Sequence, residues 1–152
     1  MKTLARSQDK DEILRRLRTV RADSARRWGK MTAHQMICHL GDAYRLGSGD
    51  MRVSDASGLA QRTVIKWIAL YAPLRWPPGI PTRPEIDRAI IGAASTDFAA
   101  DLAVTVSLVE AFAARAGARE WPTHPIFGRM SETAWMRWGY LHTDHHLRQF
   151  GH

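Results

Sequence analysis

The sequence predicts an all-α protein with one domain over residues 1–152, most simply a four-helix bundle with an additional N-terminal helix. Two observations predict this class. Five segments repeat apolar residues at helical spacing and are bounded by capping residues, glycine or proline. No segment convincingly alternates apolar and polar residues over the length of a strand. The composition, with 45% hydrophobic and 24% charged residues, is that of an ordinary soluble globular protein.

The first two helices are predicted by an apolar stripe and by end signals. The first extends from about Lys10 to Val20, with three acidic residues near its start that favour the positive end of the helix dipole. The second extends from about Ala33 to Leu46, because Thr32 and Gln35 form a capping box and Gly47 is a good stop.

The third helix, from about Leu59 to Tyr71, is apolar on nearly all sides, so we expect it to be heavily buried. The proline-rich segment Arg75–Arg88 then predicts a long loop. Loops of this length within a compact domain are often functional.

The last two helices carry the clearest caps. The fourth extends from about Asp97 to Ala116 and is capped by Ser95 or Thr96. The fifth extends from about Glu132 to Phe150 and starts after Ser131. The expected core face of the fourth helix consists of Phe98, Leu102, Val106, Val109 and Phe112.

The bulk properties favour a cytoplasmic protein. No stretch of about 18 apolar residues predicts a membrane span. The N-terminal residues are charged where a signal peptide would be apolar. The single cysteine, Cys38, cannot form an internal disulfide, which agrees with a reducing compartment.

The net charge of +7 allows two interpretations, a nucleic-acid or anionic-surface partner and a solvated basic surface. The arginines are spread along the chain without a basic block, and no nucleic-acid motif accompanies them. We therefore favour the solvated surface over nucleic acid, and an anionic small substrate stays open.

The C-terminal helix carries a histidine pair at metal-binding spacing. At about 100° per residue, His142 and His146 lie on either side of Trp135 and centre on the buried face. Imidazoles one helical turn apart can both reach one divalent metal at about 2.0–2.1 Å. The same side also carries Trp138, His145 and Gln149. The opposite side, expected to face solvent, carries Arg137, Asp144 and Arg148.

The second helix supplies the candidate third ligand, His39, which borders an apolar arc and is flanked by Gln35 and Asp42. The alternative for each histidine is a hydrogen-bonded core residue. We expect His34 at the surface, about 140° away, and Cys38 to point away from the site.

Further residues have weaker assignments. Asp42 is a candidate proton shuttle, a partner that orients an imidazole, or a surface aspartate. Trp135 and Trp138 are core residues or the lining of a pocket for an apolar substrate. His145 is expected at the pocket edge, His124 in a structural role and His152 in solvent or disordered.

Three stretches together resemble the DinB/YfiT-like superfamily: "RRWGKMTAHQMICHLGDAYR", "WPPGIPTRPEID" and "HPIFGRMSETAWMRWGYLHTDHHLRQFG". They are most similar to a branch described only as a domain of unknown function, over roughly Trp28 to Gly151. The resemblance implies a DinB-like four-helix bundle, commonly a homodimer, with a three-histidine site for a divalent metal. Zinc or nickel is expected first, with iron and manganese as further candidates. In this sequence the ligands correspond to His39, His142 and His146, and Gln149 also matches.

Two classes of function follow. Three imidazoles leave metal positions open for water or substrate, as in a catalytic site. Activated water gives a hydrolase, and an activated thiol gives an S-transferase that uses a low-molecular-weight thiol, an activity that the resemblance also implies. The alternative is a non-catalytic helical protein that binds a metal or another ligand.

Overall fold

The computed structural model describes residues 1–118 and 120–152, and helices are its main elements. It contains no strand among these residues, only an isolated bridge between His124 and Gly128. The prediction of an all-α protein is therefore confirmed. None of the described helices combines the length and the apolar character needed to cross a membrane. The helices are α1 (Ser7–Arg18), α2 (Ala33–Ser48), α3 (Lys66–Tyr71), α4 (Arg88–Ile91), α5 (Phe98–Ala114) and α6 (Glu132–Gln149).

Capping residues determine most helix starts. The Thr32 hydroxyl accepts a hydrogen bond from the Gln35 amide, and the Gln35 side chain accepts one from the Thr32 amide, which confirms the capping box. Ser131 caps α6 as predicted. The cap of α5 is Asp97, whereas Ser95 or Thr96 was predicted, because the Ser95 hydroxyl instead donates to Asp101. Helix α1 begins three residues before the predicted Lys10.

Gly47 does not end α2, contrary to the prediction. The helix continues to Ser48 and ends at Gly49, whose φ of 88° is the left-handed conformation that favours glycine. A Cβ atom on Gly47 would lie 2.7 Å from a ring carbon of Phe112. Gly47 therefore allows α2 and α5 to approach closely inside the core.

The core lies between four helices. Helix α2 packs most extensively against α5, and α1 packs against both α5 and α6. The predicted core face of α5 is confirmed, because all five of its residues pack into this core. The largest fully buried side chains include Tyr44, Phe112, Trp135, Met36, Leu40 and Leu147. This packing places inward-facing residues of α2 and α6 opposite each other.

The third predicted helix is largely exposed, so the expectation of heavy burial is wrong. Within it, Gln61–Ile65 forms a π-helical turn before α3. Leu70 is fully buried, but Trp67 is 61% exposed and Leu59 is 82% exposed. Helix α3 packs against α6 along one side, and Trp67 and Ile68 on its other sides are exposed. An apolar helix is buried only where surrounding elements cover it.

Arg137 is buried, although the helical wheel of α6 places it toward solvent. Its guanidinium donates to the carbonyl of Leu70 at the end of α3 and to the carbonyl of Lys2. Both carbonyls come from segments that fold over this side of α6. Arg137 thus supplies a donor to the carbonyl of Leu70 in the last turn of α3, where carbonyls have no partner within the helix.

Candidate metal centre

Helices α2 and α6 bring together the three predicted histidines. The Nε2 atoms of His39 and His142 lie 3.3 Å apart. The ligand atoms of His39, His142 and His146 all lie within 4.8 Å of one another. His39 and His146 are buried, and His142 is half-buried. His142 is therefore the least buried of the three.

Hydrogen bonds orient two of the three rings. The Nδ1 of His39 lies 2.9 Å from the carbonyl oxygen of Ile86. The Nδ1 of His146 lies 2.8 Å from Oε1 of Gln149, whose amide nitrogen donates to the carbonyl of Trp28. A carbonyl oxygen only accepts, so each Nδ1 carries the proton and each Nε2 keeps its lone pair. Such partners determine the tautomer and the direction of a ligating histidine.

The distance between the ring nitrogens fits a shared metal. Tetrahedral coordination at about 2.0–2.1 Å per nitrogen places two ligand nitrogens about 3.3–3.4 Å apart. The 3.3 Å between His39 and His142 agrees with this spacing. The Nδ1 of His142 is buried and has no hydrogen-bond partner among the described residues. Three imidazole ligands at this spacing fit a divalent transition metal.

Burial keeps the three histidines neutral. It lowers the pKa of His39, and it lowers the pKa values of His142 and His146 well below the ordinary histidine value. The neighbouring histidines add repulsion that lowers the pKa of His142 further. Only a neutral imidazole offers a lone pair to a metal, so the ligands are in the binding form at pH 7.

Gln35 and Asp42 have other partners than the histidines. Gln35 completes the capping box of α2, where its side-chain oxygen accepts from the Thr32 amide, and its place near the site stays a prediction. Asp42 is buried rather than at the surface. Its carboxylate accepts hydrogen bonds from Arg45 at 3.2 Å and from Arg88 at 2.7 Å. Two arginines therefore occupy the carboxylate predicted as a proton shuttle or imidazole partner.

The aromatic residues of α6 divide between core and site. Trp135 is fully buried, and its indole donates to the carbonyl of Pro122, so it belongs to the core. Trp138 stacks on His142 with ring centroids 4.9 Å apart. His145 is buried beside His146, with centroids 5.1 Å apart, but it is not in the ligand group. Gln149 is placed as predicted, next to His146.

Three contributors from outside the predicted site were missed. Trp76 lies 6.2 Å from the His142 ring and 6.1 Å from the His145 ring. Trp28 lies 5.9 Å from the His145 ring. A tryptophan in the proline-rich loop was a usable signal for Trp76. Ile86 contributes only its backbone oxygen, which leaves no signal in the sequence.

The remaining histidines have structural partners. The Nδ1 of His124 accepts hydrogen bonds from the amides of Ile126 and Phe127, which confirms its predicted structural role. His152 was expected to be solvated or disordered, but its ring contacts the hydroxyls of Thr19 and Ser24.

The comparison with known families gives one result. A family model described as "Protein of unknown function (DUF1569)" matches residues 2–152. The chain belongs to the DUF1569 family. No curated protein and no solved structure matches it.

In this DUF1569 protein, a basic cavity of about 680 Å³ lies beside α6. Its volume is in the range of small-molecule sites. On α6 its wall is formed by Arg137, Tyr140, Leu141, Asp144 and Arg148, which lie on the opposite side of the helix from His142 and His146. Its charged lining consists of Lys2, Arg16, Arg27, Arg75, Arg137 and Arg148, with Glu12 and Asp144 as the acidic members.

Proposed function

We propose that this DUF1569 protein is a metal-dependent enzyme with a DinB-like bundle and a three-histidine site formed by His39, His142 and His146. One observation supports this most strongly: the three rings converge while Ile86 and Gln149 hold the Nδ1 atoms of His39 and His146, which leaves the Nε2 lone pairs of these two rings for a metal. Orienting partners of this kind are typical of metal-binding histidines.

Three protein ligands favour catalysis over a purely structural role, because at least one position is left for a substrate. A bound divalent metal would supply Lewis acidity and lower the pKa of a coordinated thiol or water. His39, His142 and His146 would hold it, while Trp138 and Trp76 line the side of His142. Zinc or nickel suits the imidazole ligands, and iron and manganese are further candidates.

The reaction favoured here is thiol transfer rather than hydrolysis. Hydrolysis usually needs a residue that shuttles a proton near the metal. The candidate for this role, Asp42, is bound by Arg45 and Arg88. Thiol transfer needs mainly that the thiol be deprotonated and oriented. We therefore propose an S-transferase that uses a low-molecular-weight thiol, with a hydrolase as the second candidate.

The basic cavity supports an anionic small molecule as a ligand of this protein, bound on the side of α6 opposite the three histidines. Its lining carries six basic residues against two acidic ones. Their summed field attracts carboxylate-bearing compounds and raises their local concentration. Nucleic acid is the less favoured partner, because a cavity of this size suits a small molecule.

A homodimer is proposed from the exposed apolar surface around α3. Large apolar side chains exposed together often mark a protein–protein interface. In the segment that contains α3 they include Leu59, Val64, Trp67, Ile68 and Leu74.

The non-catalytic alternative keeps the same site. His39 lies on α2 and both other ligands lie on α6, so a shared metal would also join these helices. Metal binding would then stabilise the fold without turnover. Full metal occupancy without activity toward any substrate would favour this alternative.

The decisive experiment combines metal analysis with activity. The His142→Ala variant should lose one equivalent of bound metal per chain. The His152→Ala variant should keep it, because the His152 ring contacts Thr19 and Ser24 rather than the three histidines. A panel of thiols with electrophiles, beside ester and amide substrates, then separates transferase from hydrolase. Unchanged metal content in His142→Ala would contradict the three-histidine site.

A further inference from the structure

A second group of metal-ligand side chains lies on a different side of α2 from His39. It consists of His34, Cys38 and Asp101, whose ligand atoms lie within 4.8 Å of one another. His34 and Cys38 are four residues apart on α2 and therefore lie one turn above each other. Asp101, in the first turn of α5, faces them because α2 and α5 pack together. His34 is thus half-buried, contrary to its predicted place at the surface.

One carboxylate oxygen connects the group. Oδ2 of Asp101 lies 2.8 Å from Nε2 of His34 and 3.4 Å from Sγ of Cys38. The Ser95 hydroxyl donates to the same oxygen at 2.9 Å. The thiol sulfur also accepts a hydrogen bond from the amide of Ala94 at 3.3 Å. The loop before α5 therefore closes over the group and holds the carboxylate and the sulfur in place.

We propose that His34, Cys38 and Asp101 form a second divalent-metal site, independent of the three histidines, that joins α2 to α5. Imidazole, thiolate and carboxylate are the three ligand types that zinc takes in proteins. A fourth ligand, water, can reach the site because the His34 and Asp101 side chains are each 17% exposed.

Metal binding at this site releases one proton and needs no other reactant. The Cys38 thiol releases its proton to solvent as the metal–sulfur bond forms. The proton on Nε2 of His34 moves by way of solvent to Nδ1, which leaves the Nε2 lone pair for the metal. Thiolate and carboxylate together then neutralise the two charges of the metal, whereas three neutral imidazoles do not.

The thiolate ligand distinguishes the second site from the three-histidine site. A thiolate ligand selects zinc or cobalt over hard cations such as magnesium and manganese. Cys38 and His39 are adjacent in sequence and point about 100° apart around α2, so one ion cannot bind both. Loss of one site therefore leaves the ligands of the other in place.

Cobalt titration of the whole protein tests the proposal, because Cys38 is the only cysteine. A thiolate-to-cobalt charge-transfer absorption in the near ultraviolet can come only from this site. The wild-type protein should show it by the time two equivalents of cobalt are bound. Saturation with cobalt without this absorption would overturn the proposal. This measurement uses the wild-type protein alone.

Two variants separate the sites. Cys38→Ser should lose the charge-transfer absorption and one equivalent of cobalt, and it should keep the cobalt held by the three histidines. His142→Ala should show the opposite result. Asp101→Asn keeps the size of the side chain but removes its charge, and it should weaken cobalt binding at Cys38 at least tenfold. If Asp101→Asn binds cobalt as tightly as the wild type, the group is only a hydrogen-bonded contact between α2 and α5.

Discussion

His39 and His142 are separated by 103 positions in the chain, yet their Nε2 atoms lie 3.3 Å apart. The helix that carries each histidine does not by itself determine the orientation of its ring. The carbonyl of Ile86 orients His39, and Trp138 stacks on His142. The ligand geometry of the candidate centre therefore depends on the proline-rich loop and on α6 as much as on α2.

Gln149 should control metal affinity through His146. Gln149→Leu removes the acceptor that holds the His146 ring, and loss of such a partner typically lowers metal affinity about 10–100-fold. Competition with a chelator of known affinity measures the change. Gln149→Glu is the matched control, because it keeps an acceptor for Nδ1 of His146. Equal affinity in wild type and Gln149→Leu would show that the hydrogen bond does not orient a ligand.

His124 should make the fold acid-sensitive. Burial lowers the pKa of His124 to about 3, below its ordinary value of 6.5. Between about pH 6.5 and pH 3, His124 binds a proton in the unfolded chain but stays neutral in the folded chain. The free energy of unfolding should therefore fall as the pH decreases from about 6.5 toward 3, by up to about 1.4 kcal/mol per pH unit. Above pH 6.5 this group should have no effect.

Urea unfolding at several pH values measures the contribution of His124. His124→Asn is the matched control, because an amide oxygen can accept the backbone hydrogen bonds of Ile126 and Phe127 without titrating. The variant should lose less stability between pH 6.5 and 4 than the wild type. The same pH dependence in both proteins would show that His124 is not the source.

Gly47 should be intolerant of a side chain. A methyl group there would lie 2.7 Å from the Phe112 ring, so Gly47→Ala should lower the free energy of unfolding by about 1–3 kcal/mol. Phe112→Leu frees space at the contact. The double variant should therefore lose less stability than the sum of the single variants, as measured by denaturant unfolding. Simple additivity would mean that the two residues do not oppose each other.

Trp67 should contribute to self-association rather than to the fold of one chain. Its side chain is 61% exposed, whereas the nearby Leu70 is fully buried. Trp67→Glu should convert the proposed dimer to a monomer in sedimentation experiments while thermal unfolding of the monomer stays nearly unchanged. Leu70→Ala is the contrasting variant and should destabilise each chain by about 2–5 kcal/mol. A wild-type protein that stays monomeric at high concentration would contradict the dimer.

Local sequence patterns predicted the features that depend on a single helix, namely its caps and the face on which each side chain lies. Thr32, Gln35 and Ser131 act through bonds within the first turn of their helices, so their capping roles could be predicted from spacing alone. The four-residue interval between His142 and His146 likewise places both rings on one face of α6. The candidate ligands could be named for the same reason, since His39 lies on the apolar side of α2.

Sequence patterns gave the wrong burial for side chains that another segment of the chain covers or leaves uncovered. Arg137 is buried because the carbonyls of Leu70 and Lys2 lie above it. The apolar segment around Trp67 is exposed because only one side of α3 meets α6. A helical wheel assigns faces from the content of one helix, and it contains no information about which neighbours cover those faces.

The sequence by itself determined the helical class, most capping residues and the three histidines of the candidate centre, because each depends on interactions within a few residues. Only the tertiary structure decided that these histidines meet, that Ile86 and Gln149 orient them, and that His34 and Cys38 face Asp101. These relationships join segments that are far apart in the chain, and their geometry is fixed by how the helices pack. Periodicity describes one helix, whereas a site between helices exists only once packing has set their distance and rotation.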